Sequence, residues 1–145
     1  MTVDDILELL DRAMPVEGVT FSGGEPFVQA SGLLQLAEAV RERGLSLMAF
    51  TGYEIEELSA SDQRRLLGLL DIVVTGRFVA SLKRTDLRWR GSSNQRVHFL
   101  SERYRADVQG DAAAVEVTLD GRGGVRVTGF PPVSLLAQIR AGRPQ

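Results

Sequence analysis

The 145-residue sequence contains no cysteine. Without thiols, these residues alone form no disulfide bond, no thiolate nucleophile and no cysteine-held metal cluster. Histidine is nearly as scarce, because His98 is the only one. It lies in an apolar stretch, where an imidazole satisfied by a neighbour is more common than a catalytic base, so a serine triad is not predicted.

Long apolar runs and nucleotide-binding motifs are also lacking. No run approaches the roughly 18 residues of a membrane span, and the start, MTVDD, is unlike a signal peptide. Neither a Walker motif nor a GxGxxG pattern is present, which argues against nucleoside-triphosphate binding. The sequence therefore predicts a cytoplasmic protein without a membrane partner, and its 43% hydrophobic and 25% charged residues are typical of a globular chain.

Charge is distributed unevenly although the net charge is only −2. Residues 1–76 hold 13 acidic and 5 basic residues, whereas residues 77–105 hold 2 acidic and 8 basic ones. A basic block of this kind can meet phosphate, nucleic acid or an acidic protein face, although solvated arginines on a loop are its commoner explanation. Nucleic-acid binding is a third and less favoured alternative, and steep salt dependence of binding would be its signature. No nucleic-acid partner is expected.

Hydrophobic spacing predicts an α/β fold in which strands alternate with helices. We expect strands at residues 19–22, 45–50 and 72–75, a fourth and shorter one at 96–100, and helices at 3–14, 31–43, 54–58 and 61–70. Two alternating stretches, 115–119 and 125–128, predict a β-hairpin, and a short helix is expected at 134–141. Strands joined through helices predict parallel pairing, with the ligand site at the carboxyl ends of the strands.

The stretch GVTFSGGEPF, residues 18–27, has the composition of a strand that stops abruptly before a helix. Gly23 and Gly24 can adopt positive φ and let a ligand approach the main chain, and Glu25 adds a negative charge. Pro26 removes one donor and stiffens the exit. Two interpretations follow from the local chemistry: a site for a charged small molecule, or simply a sharp strand-to-helix turn.

Three stretches together carry a more specific signal: GVTFSGGEPF, then FTGYEIEEL, then LLDIVVTGRFVASLKRTDLRWRGSSNQRVHFL. In this order they closely resemble the radical S-adenosylmethionine activating proteins, especially the activases of anaerobic (class III) ribonucleotide reductase. The likeness covers roughly residues 3–105, and WRGSSNQR is its most specific element. The resemblance implies a partial (β/α) barrel of the radical SAM type with parallel strands, followed by the C-terminal hairpin. It also implies two domains, residues 1–105 and 106–145.

The resemblance further implies reductive cleavage of S-adenosylmethionine at a 4Fe-4S cluster, which generates a glycyl radical on a partner enzyme. It places Gly23, Gly24 and Glu25 at the ammonium group of the methionine moiety. The full set expected to bind this cofactor is Gly23, Gly24, Glu25, Pro26, Thr51, Tyr53 and Arg77. The set expected to contact the partner is Arg88, Trp89, Arg90, Ser92, Ser93, Asn94 and Gln95. No catalytic residue and no metal ligand is predicted in this chain.

Two departures from the family pattern qualify the transfer. The family holds its cluster with a CxxxCxxC loop after an N-terminal strand, and neither that loop nor that strand is found here. Thr75 stands where relatives commonly carry an aspartate. We expect either an activase represented without its cluster segment, which by itself is inactive as a radical generator, or a cluster-free adaptor that docks on a partner through residues 77–95. The exposed edge of the strand at 19–22 is expected to be covered, either by the C-terminal hairpin folding back or by the same edge of a second copy, and we favour the homodimer.

Overall fold

The computed structural model describes residues 2–13, 15–104, 115–119 and 125–129. Within these residues the chain forms three α-helices: α1 (Val3–Ala13), α2 (Ala30–Glu42) and α3 (Ser61–Leu69). It also forms six strands there: β1 (Gly18–Phe21), β2 (Ser46–Phe50), β3 (Ile72–Thr75), β4 (Arg96–Phe99), β5 (Val115–Leu119) and β6 (Val125–Gly129). Short 3-10 turns lie in the connections, at Pro26–Gln29, Ile55–Glu57 and Ala80–Leu82.

The local sequence signals predict the positions of most of these elements to within one residue. The predicted strands at 72–75 and 115–119 are confirmed at both ends, and the ends of the other strands and α-helices agree or differ by one residue. Thr2 caps α1, because its hydroxyl accepts a hydrogen bond from the Asp5 amide and its own amide donates to the Asp5 carboxylate. The helix expected at 54–58 is instead a single 3-10 turn, Ile55–Glu57. The hairpin pairing of β5 with β6 is confirmed, whereas the helix expected at 134–141 lies outside the described residues.

The main sheet has the order β1-β2-β3-β4. β1, β2 and β3 are parallel, as predicted, so that Thr20 lies beside Met48 and Met48 lies beside Ile72. β4 pairs with β3 in the antiparallel direction, so the expectation of parallel strands is wrong for this fourth one. The physical reason is the connection: residues 77–95 contain only one short 3-10 turn, and a parallel strand usually requires a crossover helix.

Helices cover one face of this sheet. α2 packs on α3 and on β2, and α1 packs on α2. The buried core between helices and sheet is apolar; it includes Phe21, Leu34, Ala37, Val40, Leu47, Ala49, Leu66 and Val73. This packing fixes the strands as a platform whose loops can carry a ligand site. Within the described residues, no helix is long and apolar enough to cross a membrane.

The opposite face of the sheet borders a cavity of about 450 Å³. The strand residues Thr20, Met48 and Ile72 line it, and so do Trp89 and Tyr104 from later parts of the chain. The Tyr104 hydroxyl donates a hydrogen bond to the Glu17 carboxylate at 2.8 Å, and burial raises the pKa of Tyr104. Because the first residues of the strands line it, this cavity lies at the opposite end of the sheet from the strand-end loops.

Asp71, immediately before β3, fastens the amino ends of the strands. Its side chain is 1% exposed. The carboxylate accepts hydrogen bonds from the Leu47 amide (3.0 Å), the Arg41 guanidinium (2.7 Å) and the Ser101 hydroxyl (2.6 Å). One carboxylate thus joins α2, β2 and the segment after β4.

Candidate functional site

The carboxyl ends of β1, β2 and β3 meet at a shallow cleft of about 190 Å³. This is the edge at which open α/β sheets bind ligands, and it is where the sequence placed a site. The lining comes from residues at or just after the carboxyl ends of these three strands and from the residue before β4: Gly23, Gly24, Glu25, Phe50, Thr51, Gly52, Gly76, Phe78 and Gln95.

Gly23 and Gly24 adopt the backbone conformation that the sequence predicted. Their φ angles are +78° and +56°, in the left-handed region that side chains disfavour. Both residues are exposed. A Cβ built on Gly23 would meet no described atom within 4 Å, so open space lies where its side chain would be. The chain therefore presents bare main chain to the cleft at this turn.

Glu25 connects two strand-end loops. Its Oε1 accepts hydrogen bonds from the Thr51 hydroxyl (2.7 Å) and the Phe27 amide (3.1 Å). Its Oε2 accepts a hydrogen bond from the Gly52 amide (2.8 Å). A carboxylate has about four acceptor positions, so these three bonds leave roughly one for a ligand. Glu25 thus shapes the cleft as well as lining it.

The other residues expected to bind the cofactor lie around the cleft at different depths. Thr51 is 5% exposed, and its oxygen also accepts a hydrogen bond from the Tyr53 amide at 3.1 Å. The Tyr53 side chain is half-buried against the core. Pro26 is buried as the first residue of its 3-10 turn. The side chain of Arg77 is exposed and passes the cleft, because its Cγ lies 3.7 Å from a Cβ built on Gly52.

Thr75 is not among the residues that line the cleft. It is fully buried, and its hydroxyl lies 2.9 Å from His98 Nε2 on the neighbouring strand. The imidazole of His98 therefore has a hydrogen-bond partner inside the sheet, as the sequence predicted for a structural histidine.

The segment 77–95, called here the arginine-rich segment, is held by its own polar side chains. The Gln95 side chain donates to the Gly76 carbonyl (3.0 Å) and accepts from the Gly91 amide (2.8 Å). The Asn94 side chain donates to the Arg77 carbonyl (2.8 Å), and the Ser92 hydroxyl accepts from the Val79 amide (3.1 Å). Part of the WRGSSNQR motif is thus explained by loop structure.

The remaining residues expected to contact a partner lie in three different surroundings. Arg88 and Trp89 line the cavity on the far end of the sheet, where the guanidinium of Arg88 lies 5.6 Å from the Trp89 ring centroid. Trp89 also contacts Phe99, with ring centroids 6.4 Å apart, and has a φ of +61°. Arg90 donates to the Gln95 carbonyl. Ser93 is exposed.

Arg84 and Asp86 form an ion pair inside the arginine-rich segment, with the Arg84 Nε 2.8 Å from the Asp86 carboxylate. Hydrogen bonding from Arg84 lowers the pKa of Asp86 to about 2. The acidic residue in this segment is therefore ionised and paired at neutral pH.

Sequence reasoning missed two residues. Phe78 lines the cleft and is 55% exposed, and the only sequence signal for it was its position directly after the strand-end pair Gly76 and Arg77. Asp71 had no signal, because the three donors that it binds come from distant parts of the chain.

The donor chemistry does not fit an iron–sulfur cluster. Cluster irons are bound chiefly by cysteine thiolates, and this sequence has none. In the part of the chain that the structure describes, no three His, Asp or Glu side chains are grouped to hold a metal ion. No cluster ligand is therefore available from these residues.

The chain is an α/β protein with a glycine-rich cleft at the carboxyl ends of its parallel strands. Residues 1–98 match the family model described as a 4Fe-4S single cluster domain. With this match and the relatives below, the chain belongs to the radical S-adenosylmethionine activase family, as its motifs predicted.

Its curated relatives are named anaerobic ribonucleoside-triphosphate reductase-activating protein. The chain is 37% identical to the Escherichia coli K12 protein over 99 residues, which are 66% of this chain and 64% of that protein. It is 36% identical to the Vibrio cholerae protein over 97 residues (64% and 62%) and 31% identical to the Haemophilus influenzae protein over 105 residues (66% and 67%). The chain thus spans a little under two thirds of the first of these relatives. No solved structure matches it significantly.

Proposed function

We propose that this chain forms the S-adenosylmethionine-binding and partner-docking part of a glycyl-radical-enzyme activase. The partner is a reductase of the anaerobic ribonucleotide type, as the names of the relatives suggest. The reaction of the whole activase is reductive cleavage of S-adenosylmethionine, which places a radical on a glycine of the partner. In this proposal the main sheet is part of a partial (β/α) barrel in a domain of residues 1–105, and residues 106–145 form a second unit.

The observation that carries the proposal is the convergence of Gly23, Gly24 and Glu25 with Thr51 and Gly52 at adjacent strand ends. An ammonium group requires acceptors, and Glu25 retains roughly one acceptor position beside the exposed main chain of the two glycines. The side chain of Arg77 passes Gly52 at the cleft, and its guanidinium is the group assigned to an anionic part of the same ligand. The methionine moiety of S-adenosylmethionine carries both kinds of charge.

The cluster chemistry of the family requires thiolate ligands for the irons, and these residues supply none. The contribution proposed for these residues is to bind and orient the methionine moiety. Alone, the chain binds S-adenosylmethionine weakly and does not cleave it.

Isothermal titration calorimetry with S-adenosylmethionine tests the proposal. We expect weak binding to the wild type and weaker binding to Glu25→Ala, because that change removes both an acceptor and the link between two loops. Glu56→Ala is the matched control, since Glu56 is exposed on the turn Ile55–Glu57. Equal affinity of the wild type and Glu25→Ala, or no binding to the wild type, contradicts the assignment of the cleft.

A second candidate function is a cluster-free adaptor that docks on the reductase through the arginine-rich segment. The lack of cysteine favours it. The two candidates differ in how reductase binding depends on S-adenosylmethionine: an adaptor binds equally with and without it, whereas a cofactor-binding part binds differently once the cleft is filled. Titration of labelled reductase with the chain, at zero and saturating S-adenosylmethionine, separates them.

A further inference from the structure

Phe78 is an exposed aromatic residue at the mouth of the cleft. Its side chain lines the cleft, and 55% of the residue is accessible to solvent. The ring lies against the main chain of Gly91: a Cβ built on Gly91 would lie 3.1 Å from Phe78 Cδ2 and 3.3 Å from Cε2. Glycine at position 91 therefore leaves the space that the ring occupies.

The main chain on both sides of Phe78 is held by the WRGSSNQR motif. Gln95 binds the carbonyl of Gly76, Asn94 binds the carbonyl of Arg77, and Ser92 binds the amide of Val79, with distances of 3.0, 2.8 and 3.1 Å. Each bond joins a side chain of residues 92–95 to the backbone of residues 76–79. The exposed ring is thus presented on a fixed backbone.

Other exposed apolar and cationic residues belong to the loops that carry Phe78 and the cleft. Leu82, in the same segment, is 43% exposed. Val28 is 68% exposed and lies beside the cleft, because its amide donates to the Glu25 carbonyl at 3.1 Å. Arg77 and Lys83 are exposed as well. We call Val28, Arg77, Phe78, Leu82 and Lys83 the rim surface.

We propose that the rim surface docks a protein segment in which an apolar side chain is flanked by acidic residues, and that Phe78 is its anchor. The inference rests on the proposed function in that the segment belongs to the glycyl radical partner. Aromatic anchors dominate the energy of many interfaces. An anchor on a fixed backbone loses little conformational freedom on binding. Arg77 and Lys83 favour a partner segment with acidic residues next to the anchored side chain, and their charge speeds the association of the two proteins.

The same geometry gives Ser92, Asn94 and Gln95 a role as positioning residues, which act on the partner through the backbone of residues 76–79. This assignment differs from the expectation, based on the sequence, that all of these side chains contact the partner directly. It also explains why a polar motif is needed beside an apolar anchor.

Binding of the full chain to the anaerobic reductase encoded in the same genome, measured by surface plasmon resonance, tests the inference. Phe78→Ala is expected to lower the affinity about tenfold or more. Leu9→Ala is the matched control, because Leu9 is equally exposed, at 55%, but lies on α1. It is expected to bind as the wild type does. Lys83→Glu is expected to slow association, most strongly at low salt.

Gln95→Ala tests the positioning role. We expect it to weaken binding in the wild-type background and to add little in the Phe78→Ala background, since both changes remove the same anchor. If Phe78→Ala binds the reductase as tightly as the wild type does, the rim surface is overturned but the proposed function is not. A wild-type chain that does not bind the reductase overturns the proposed partner, and the rim surface with it.

Discussion

The Thr51 hydroxyl donates a 2.7 Å hydrogen bond to the Glu25 carboxylate, and this bond joins the loops that follow β1 and β2. Glu25 directly follows Gly23 and Gly24, and Thr51 directly follows the last residue of β2. The two residues are therefore separated by 26 positions in the chain. Parallel pairing of β1 with β2 is what brings them together. The shape of the cleft therefore depends on a bond between two side chains rather than on either loop alone.

Removal of the Thr51 hydroxyl is expected to loosen the cleft. Thr51→Val keeps the volume of a 5% exposed side chain but removes a hydrogen bond to a charged group. We expect a loss of about 2 kcal/mol in the free energy of unfolding. Urea unfolding followed by circular dichroism measures it, and hydrogen exchange at the Gly52 amide, which donates to the same carboxylate, reports the loosening.

Thr51→Ser is the control for this prediction, because serine restores the hydroxyl. It is expected to recover most of the lost stability and the slow exchange of Gly52. Wild-type stability and slow exchange of Gly52 in Thr51→Val would contradict the prediction, because valine keeps the methyl group of Thr51 and lacks only its hydroxyl.

Local sequence signals predicted the elements and the edge of the sheet that carries the cleft. Gly23 and Gly24 adopt positive φ as their residue type allows, and β1 to β3 are parallel as their apolar runs and intervening helices indicated. These features follow from short-range preferences and from the rule that parallel strand ends meet at one edge. The partners of Glu25 were not predictable, because they depend on which strand lies beside β1.

The arginine-rich segment was the least predictable part. Its polarity excluded a strand, and the lack of a predicted crossover helix was the one local signal against a parallel β4. Nothing local indicated that Trp89 would lie in a different cavity from the cleft. Gln95 illustrates the reason. Its bond to the Gly76 carbonyl spans 19 positions and exists only once β3 and β4 are paired.

Asp71 is expected to be a major contributor to stability. Asp71→Asn removes a charge that accepts three hydrogen bonds, one of them from the Arg41 guanidinium, at a site with 1% exposure. We expect a loss of roughly 3 kcal/mol in the free energy of unfolding. Asp4→Asn, on the exposed first turn of α1, is the control and should cost only a few tenths of a kcal/mol. A similar loss in the free energy of unfolding for the two variants would show that Asp71 is not a major contributor to stability.

Anaerobic reconstitution with iron and sulfide is expected to give no 4Fe-4S absorbance on this chain. The reason is chemical: the sequence contains no cysteine to supply thiolate ligands. Ultraviolet–visible spectra and iron counts after gel filtration measure it, and a family member that carries the CxxxCxxC loop serves as the positive control. Stoichiometric iron with a cluster spectrum on this chain would contradict the prediction.

The last prediction concerns the edge of the main sheet. Within the described residues, β1 pairs with β2 alone, so its other side presents main-chain donors and acceptors. Thr20 on this strand is exposed and carries no charge, and such an edge is a template for pairing with another strand. We expect two copies of the chain to pair through β1 in a two-fold dimer at micromolar concentration.

Thr20→Lys is expected to shift this dimer towards monomer, because the change places a charge on the strand at the proposed interface. Sedimentation velocity measures the shift. Ser31→Lys adds the same charge to the exposed side of α2 and should leave the dimer intact, which separates an edge effect from a change in net charge. A wild-type chain that sediments as a monomer, with fast hydrogen exchange at the amides of Val19, Thr20 and Phe21, would show that this edge does not pair.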